Sequence, residues 1–446
     1  MANKNKLGRN LSFMSAFTIG TGTMIGAGIF VLPGIAITNA GPAAIFSFIL
    51  GGILALTTAL SLSELATGMP KAGGSYYFIN KAMGPAFGTI VGIGAWLSLV
   101  FKGSFALIGL AEYIKIIIPV PVIITAIGFG LLLLLINYRG AEGSGSLQNF
   151  IVLGLFIILA LFISKGSFSV EGNNFSPFLP FGYSSIFSTT GLIFVSYLGI
   201  AKLAAISEEV KNPDKNLPRA FILSVLVVTL LYVGVMLVIN GVLPLGQLTD
   251  NGTPLVDVAQ VLAGGWGQIA IIIAGFFATV STANAAILSS SRFPFAMGRD
   301  NLMPDWFTTV HKEYETPYRS IIITGLTMIL LLFLFNVEQL AKLGSTFNVI
   351  IFVLVNIAVI ILRNSEKEWY DPGFRDPFYP FSQIIGIVGC LVLIPYLGNV
   401  ALLFALGVIL IGYIWYHLYA KDNVEKDHNI LDIIDKTSIQ LGEENS

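Results

Sequence analysis

Apolar stretches of roughly 20 residues, the length an α-helix needs to cross the hydrocarbon of a bilayer, recur from one end of the chain to the other. They run over about 11–37, 42–63, 87–118, 122–136, 147–163, 186–206, 220–242, 267–288, 321–335, 341–362, 383–396 and 400–419. Short stretches carrying charge, Pro and Gly separate them. The pattern predicts an all-α membrane protein with twelve transmembrane helices. It divides the chain into a short N-terminal segment (1–10), a ten-helix body (11–362), two further helices (383–420) and a polar, acidic tail (421–446). The stretch from Arg363 to Phe381 is charged and Pro-containing and belongs outside lipid.

Charge sets the orientation. Most of the 24 Lys and Arg residues fall in the odd-side loops and the two tails; Lys115, Lys165 and Lys342 fall on the opposite side. Cytoplasmic segments carry the excess of basic residues, so both termini are expected in the cytoplasm, with the chain crossing the cell (plasma or inner) membrane many times. The N-terminal apolar run is too long for a secretory signal and contains Pro33, which predicts an uncleaved first helix.

Composition narrows the function classes. Of 446 residues, 55% are hydrophobic and 11% are charged, against about 25% charged in soluble domains. That excludes a soluble enzyme and a disordered chain. A net charge of −1 leaves no basic excess for nucleic acid. Cys390, the only cysteine, excludes an internal disulfide and a thiolate metal cluster. No His-Glu-x-x-His pair and no Gly-Lys-[Ser/Thr] phosphate loop occurs, so neither an enzyme nor a cofactor is expected.

Two spans carry signs of interruption. In the first, Gly20, Gly22, Gly26 and Gly28 punctuate an otherwise apolar helix, each costing about 1 kcal/mol relative to Ala. One reading is close helix packing, since Gly22 and Gly26 have small-xxx-small spacing. The other is a helix unwound near Ile25–Gly26, whose bare amides attract a carboxylate and whose freed carbonyls attract a cation. In the sixth span, Gly191 and Gly199 flank a mixed stretch. Interrupted helices in matching places of two halves point to a binding site at mid-membrane. The matching halves here would be about 11–163 and 186–362.

The chain resembles the amino acid–polyamine–organocation superfamily, specifically its bacterial and archaeal amino acid permeases. Gly22-Thr23-Met24-Ile25-Gly26-Ala27-Gly28-Ile29-Phe30 is similar to the family's first-helix signature. Glu64-Leu65 with Pro70-Lys71-Ala72-Gly73-Gly74-Ser75-Tyr76 is similar to the loop after its second helix. Glu208-Glu209-Val210-Lys211-Asn212-Pro213 with Leu217-Pro218-Arg219-Ala220, and Ser291-Arg292 with Ala296-Met297-Gly298-Arg299-Asp300-Asn301, are similar to two cytoplasmic loops. The resemblance implies a five-plus-five inverted repeat (LeuT-like) with discontinuous helices one and six, two peripheral helices, and secondary active transport of an amino acid by alternating access. It implies that the substrate carboxylate meets amides near Ala27, Gly28 and Ile29, and the amine meets carbonyls near Met24, Val195, Ser196 and Leu198. Ile25, Gly26, Phe194 and Gly199 complete this site. Several proton-coupled relatives carry a lysine in helix five; here Gly154 or Leu155 stands there. The usual glycine after Arg-Asp is Asn301.

Lys102 and Lys202 lie within spans three and six. A charge at the bilayer centre costs about 2.5–3.5 kcal/mol or more, so each is expected to face a cavity or partner. Lys202 stands about 9 Å along the axis from Glu208, at 1.5 Å per residue. Snorkelling to the surface is one reading for Lys202, and structural hydrogen bonding is one for Lys102. The functional reading is that Lys202, and then Lys102, carries a coupling H⁺ between its ammonium and amine forms. Ser281 and Thr282 in span eight form a candidate Na⁺ site of oxygen ligands, or else hydrogen bond between helices. No carboxylate is expected deep in a span. Two cations disfavour a cationic substrate, and Met24, Ile25, Phe194 and Ile200 favour a neutral, apolar amino acid. An exchanger, a Na⁺ symporter, and a non-transporting sensor or channel on the same scaffold are the alternatives.

Overall fold

A computed structural model describes residues 9–70, 73–140, 145–249, 252–365 and 369–424, with the side chains of 145–149 also outside the description. Most of the N-terminal segment (1–8), Lys71 and Ala72 of the second motif, and the tail from 425 onward lie outside the described residues. The helices are α1 (Phe13–Ala40), α2 (Ala44–Gly68), α3 (Gly74–Met83), α4 (Pro85–Ile117), α5 (Val122–Tyr138), α6 (Gly145–Ser167), α7 (Ser184–Ile193), α8 (Gly199–Ala205), α9 (Pro213–Val242), α10 (Leu245–Leu248), α11 (Pro254–Arg299), α12 (Tyr318–Leu334), α13 (Val337–Asn364), α14 (Phe381–Leu393) and α15 (Asn399–Trp415). Among the described residues the sole β pairing is an isolated parallel bridge, Leu11 with Val210. It ties the chain ahead of α1 to the loop ahead of α9.

Eight helical stretches are long and apolar enough to cross a membrane, the first running from Phe13 to Gly68 through both α1 and α2. Val122–Tyr138, Tyr318–Leu334 and Phe381–Leu397 are shorter apolar helices. Burial sorts them. The most apolar window of α4 is 83% buried, whereas that of the stretch ending the described chain, Asn399–Val424, is 22% buried. α4 is therefore a central pillar, and α15 turns mostly outward. Glycines allow α4 its close neighbours: a methyl group on Gly103 would run into Met328 of α12, one on Gly109 into Val31 of α1, and one on Gly92 into Met297 of α11.

α1 is interrupted as expected. Gly26 has φ 23° and ψ −136°, a conformation only glycine adopts without strain. The sixth span differs from expectation. It does not unwind; α7 passes into α8 through a 3₁₀ turn over Phe194–Leu198, with right-handed backbone angles at both caps. The tighter turn still displaces carbonyls from α-helical partners, and side chains from elsewhere take them. The eighth span also differs, because α11 extends well beyond 267–288 and is interrupted at Ala263 and Gly264 (φ 62°).

Glu64 lies just past the predicted second span, in the motif that follows it, and it is buried within the protein there. α2 continues past Ser63 to Gly68, and the Glu64 side chain is fully buried. Arg363 holds it with two hydrogen bonds, Nε to Oε1 at 2.7 Å and Nη2 to Oε2 at 2.5 Å. Tyr370 Oη at 3.2 Å and the Asp376 amide at 2.8 Å complete its partners. The charged linker after α13 thus folds back onto α2 rather than standing free.

Candidate functional site

In an unbroken helix the Ala27 amide would donate to the Thr23 carbonyl, four residues earlier. At Gly26 the chain turns away, and each of those two groups finds a side chain from another helix. Ala27 N–H donates to Thr282 Oγ1 of α11 at 2.9 Å. Thr23 O accepts from Lys102 Nζ of α4 at 3.0 Å. Met24 O accepts from Tyr232 Oη of α9 at 3.2 Å, and Phe30 O from Tyr113 Oη of α4 at 3.0 Å. Buried backbone groups demand partners, and here the partners come from three helices around one break. Thr282 Oγ1 in turn donates a hydrogen bond to Ala278 O at 2.8 Å.

The 3₁₀ turn of helix six is held in the same way. Val195 N–H donates to Ser345 Oγ at 2.7 Å, and Ser345 Oγ donates to Leu192 O at 2.7 Å. Asn348 Nδ2 donates to Phe194 O at 3.0 Å; its Oδ1 is buried without a hydrogen bond. Lys102 Nζ reaches Ser196 O at 3.5 Å, so one ammonium contacts a carbonyl of each segment. Ser196 Oγ turns to Ile193 O at 2.7 Å.

The two segments touch closely. A Cβ on Gly199 would lie 2.8 Å from Met24 N and 2.9 Å from Gly20 O, and one on Gly28 would lie 2.2 Å from Tyr232 Oη and 3.1 Å from Ser196 Cβ. One on Gly26 would lie 2.1 Å from Thr282 Oγ1. Met24, Ile25, Ala27, Ile29, Phe194, Val195 and Leu198 are all buried at this junction. The sequence-predicted residues of helices one and six therefore come together. Of the lysines, Lys102 is 3% exposed and sits at the centre. Lys202 is half-buried on α8, near enough to Lys102 and Arg292 for their charges to interact. Ser281 is half-buried beside Thr282, and among the described residues no hydrogen bond ties it to the break.

Below the junction α3 forms a floor. The Gly74 position has φ 58°, and a Cβ there would press on Ala205 N and Ala201 O of α8. Tyr76 Oη of α3 donates to Asp300 Oδ2 at the end of α11, 2.7 Å away. Burial, then the Asp300 carboxylate, push the Tyr76 phenol well above its ordinary pKa, so it stays a donor. The sequence reading missed Tyr232, Ser345 and Asn348; their only sequence signal is a polar group within an apolar span, which many packing residues share.

Comparison with known proteins agrees with this architecture. A family profile described as "Amino acid permease" matches residues 11–417. The branched-chain amino acid permease BcaP of Bacillus subtilis (strain 168) is 30% identical over 439 residues, covering 94% of each chain. The methylthioribose transporter of the same organism is 33% identical over 436 residues, covering 93% of this chain and 94% of its own. Its serine/threonine exchanger SteT is 27% identical over 408 residues, with 86% and 90% covered. An apolar multi-helix chain, four signature motifs in order and a profile spanning nearly all of it lead to one statement: the chain belongs to the amino acid permease family of the amino acid–polyamine–organocation superfamily.

Proposed function

We propose that the protein is a secondary active transporter that carries a neutral, apolar amino acid across the plasma membrane by alternating access, driven by H⁺. In this reading the chain crosses the bilayer twelve times, with ten core helices in a five-plus-five inverted repeat and both termini cytoplasmic. The observation that carries it is the interruption of α1 at Gly26, with the Ala27 amide and the Thr23 carbonyl both parted from helical partners. Irregular backbone in a membrane helix is tolerated where it serves a site. The amides of Ala27, Gly28 and Ile29 receive the substrate carboxylate. The carbonyls of Met24, Val195, Ser196 and Leu198 receive its amine, and Ile25, Gly26, Phe194 and Gly199 shape the rest. Lys202 carries the coupling proton, with Lys102 the second candidate; the alternative Na⁺ site is Ser281 with Thr282.

The test is uptake into proteoliposomes of labelled leucine, alanine, serine, lysine and putrescine under separate H⁺ and Na⁺ gradients, in empty and preloaded vesicles. Leucine or alanine accumulation under the H⁺ gradient is expected. Preference for lysine or putrescine, or no uptake at all, overturns the reading. Lys202→Met is expected to abolish gradient-driven accumulation and leave exchange or binding. A second reading, transport of methylthioribose, is favoured by the 33% identical relative of that name, and belongs in the same panel.

A further inference from the structure

Lys102 has an unusual set of partners for a charge buried in a membrane. Its side chain is 3% exposed. The described residues give it no carboxylate; its two contacts are carbonyls, Thr23 O at 3.0 Å and Ser196 O at 3.5 Å. The nearest polar side chains along α4 are committed elsewhere, Ser98 to Gly344 O and Ser104 to Val100 O and Met328 O. The ammonium is thus solvated by the carbonyls that the interruption of α1 and the 3₁₀ turn of helix six expose.

We propose that Lys102 is a resident ammonium that takes the place of the substrate's amine between helices one and six, so that the transporter closes and returns while empty. This rests on the transport reading and deepens it. Ser196 O belongs to the carbonyl set that a substrate amine would use, and Thr23 O is its neighbour one residue before Met24. A tethered ammonium and a free one therefore compete for one electronegative spot. With substrate absent, Lys102 neutralises the carbonyl dipoles and lets the Gly199–Met24 and Gly28–Ser196 contacts form. Without Lys102, facing carbonyls would meet unsatisfied in a dry site, which disfavours closure of the empty protein but not of the loaded one. Lys102 is accordingly a positioning residue that sets the balance between net transport and exchange.

Lys102→Met, Lys102→Gln and Lys102→Arg are compared with the wild type in empty and substrate-preloaded proteoliposomes, using the amino acid that the wild type transports best. Met and Gln are expected to lower net downhill uptake into empty vesicles by about tenfold or more, the scale of losing one charged hydrogen bond. Exchange into preloaded vesicles should stay within about twofold, and substrate binding should be equal or tighter. Arg should keep net uptake. Equal loss of net uptake and exchange in a variant of unchanged melting temperature, weakened binding, or no loss of either flux overturns the proposal. If the Met variant does not fold, Gln against Arg decides: loss in both or in neither overturns it. Absence of wild-type uptake in every vesicle would instead fail the transport reading.

Discussion

The Thr282 hydroxyl stands 2.9 Å from the Ala27 amide and replaces the Thr23 carbonyl as its acceptor. The two residues are 255 positions apart, so the interruption of α1 is a tertiary feature, held open by α11. Thr282→Val keeps shape and removes the acceptor. A buried amide left unpaired costs about 1–3 kcal/mol. Thermal unfolding in detergent should show the Val variant melting below wild type and a Ser variant close to it. A Val variant as stable as wild type would mean that Ala27 has another acceptor.

Gly26→Ala meets two obstacles. Its Cβ would lie 2.1 Å from Thr282 Oγ1, and φ 23° is a glycine conformation. Relief of the clash by Thr282→Ala leaves the backbone strain in place, about 1–3 kcal/mol. Substrate uptake should therefore fall at least about tenfold in the single variant and recover only in part in the double. Full recovery in the double would show that the clash alone mattered.

Gly28→Ala tests contact with α9. The new methyl would lie 2.2 Å from Tyr232 Oη, the group that holds Met24 O. Tyr232→Phe removes that oxygen. The two substitutions should be non-additive, with an interaction of about 0.5–3 kcal/mol as seen for residues in contact. Melting temperatures of the two singles and the double measure it, and simple additivity would contradict the geometry.

Some of this was legible in the chain. The apolar runs located the helices, because a bilayer demands that length. The glycine cluster from Gly20 to Gly28 marked the stretch that holds the α1 break, although only Gly26 has non-helical angles, and Gly22 and Gly28 stand where a Cβ would run into Val152 and Tyr232. What holds the break open left no such trace. Lys102 stood out as a charge in an apolar span, but its acceptors are backbone carbonyls, which every residue has. Ser345 and Asn348 reach helix six across 150 and 154 residues, and a hydroxyl or amide in a span looks the same whether it packs or caps. The 3₁₀ turn at Phe194–Leu198 makes hydrogen bonds with those distant partners. The burial of Glu64, just past the second apolar run, was not legible, because the arginine that permits it lies 299 positions later.

That pair gives the last prediction. Glu64 is wholly buried, and Arg363 is one-fifth exposed at the end of α13. Arg363→Met leaves a carboxylate in a dry site with only Tyr370 and the Asp376 amide to solvate it. Breaking a buried pair from one side costs about 3–5 kcal/mol, while replacing both partners is often far milder. Arg363→Met should therefore lower the melting temperature more than the double Glu64→Gln, Arg363→Met. The linker should loosen with it: Asp376 is held by Ser382 Oγ and by Gln383 Nε2 at 2.9 Å, and Gln383 reaches Ser61 of α2 at 3.0 Å. Amide hydrogen exchange over 369–380 should rise in the single variant and less so in the double. A double variant no more stable than the single would show that the guanidinium stabilises the fold by packing against the Tyr379 ring, 4.1 Å away, and not by neutralising Glu64.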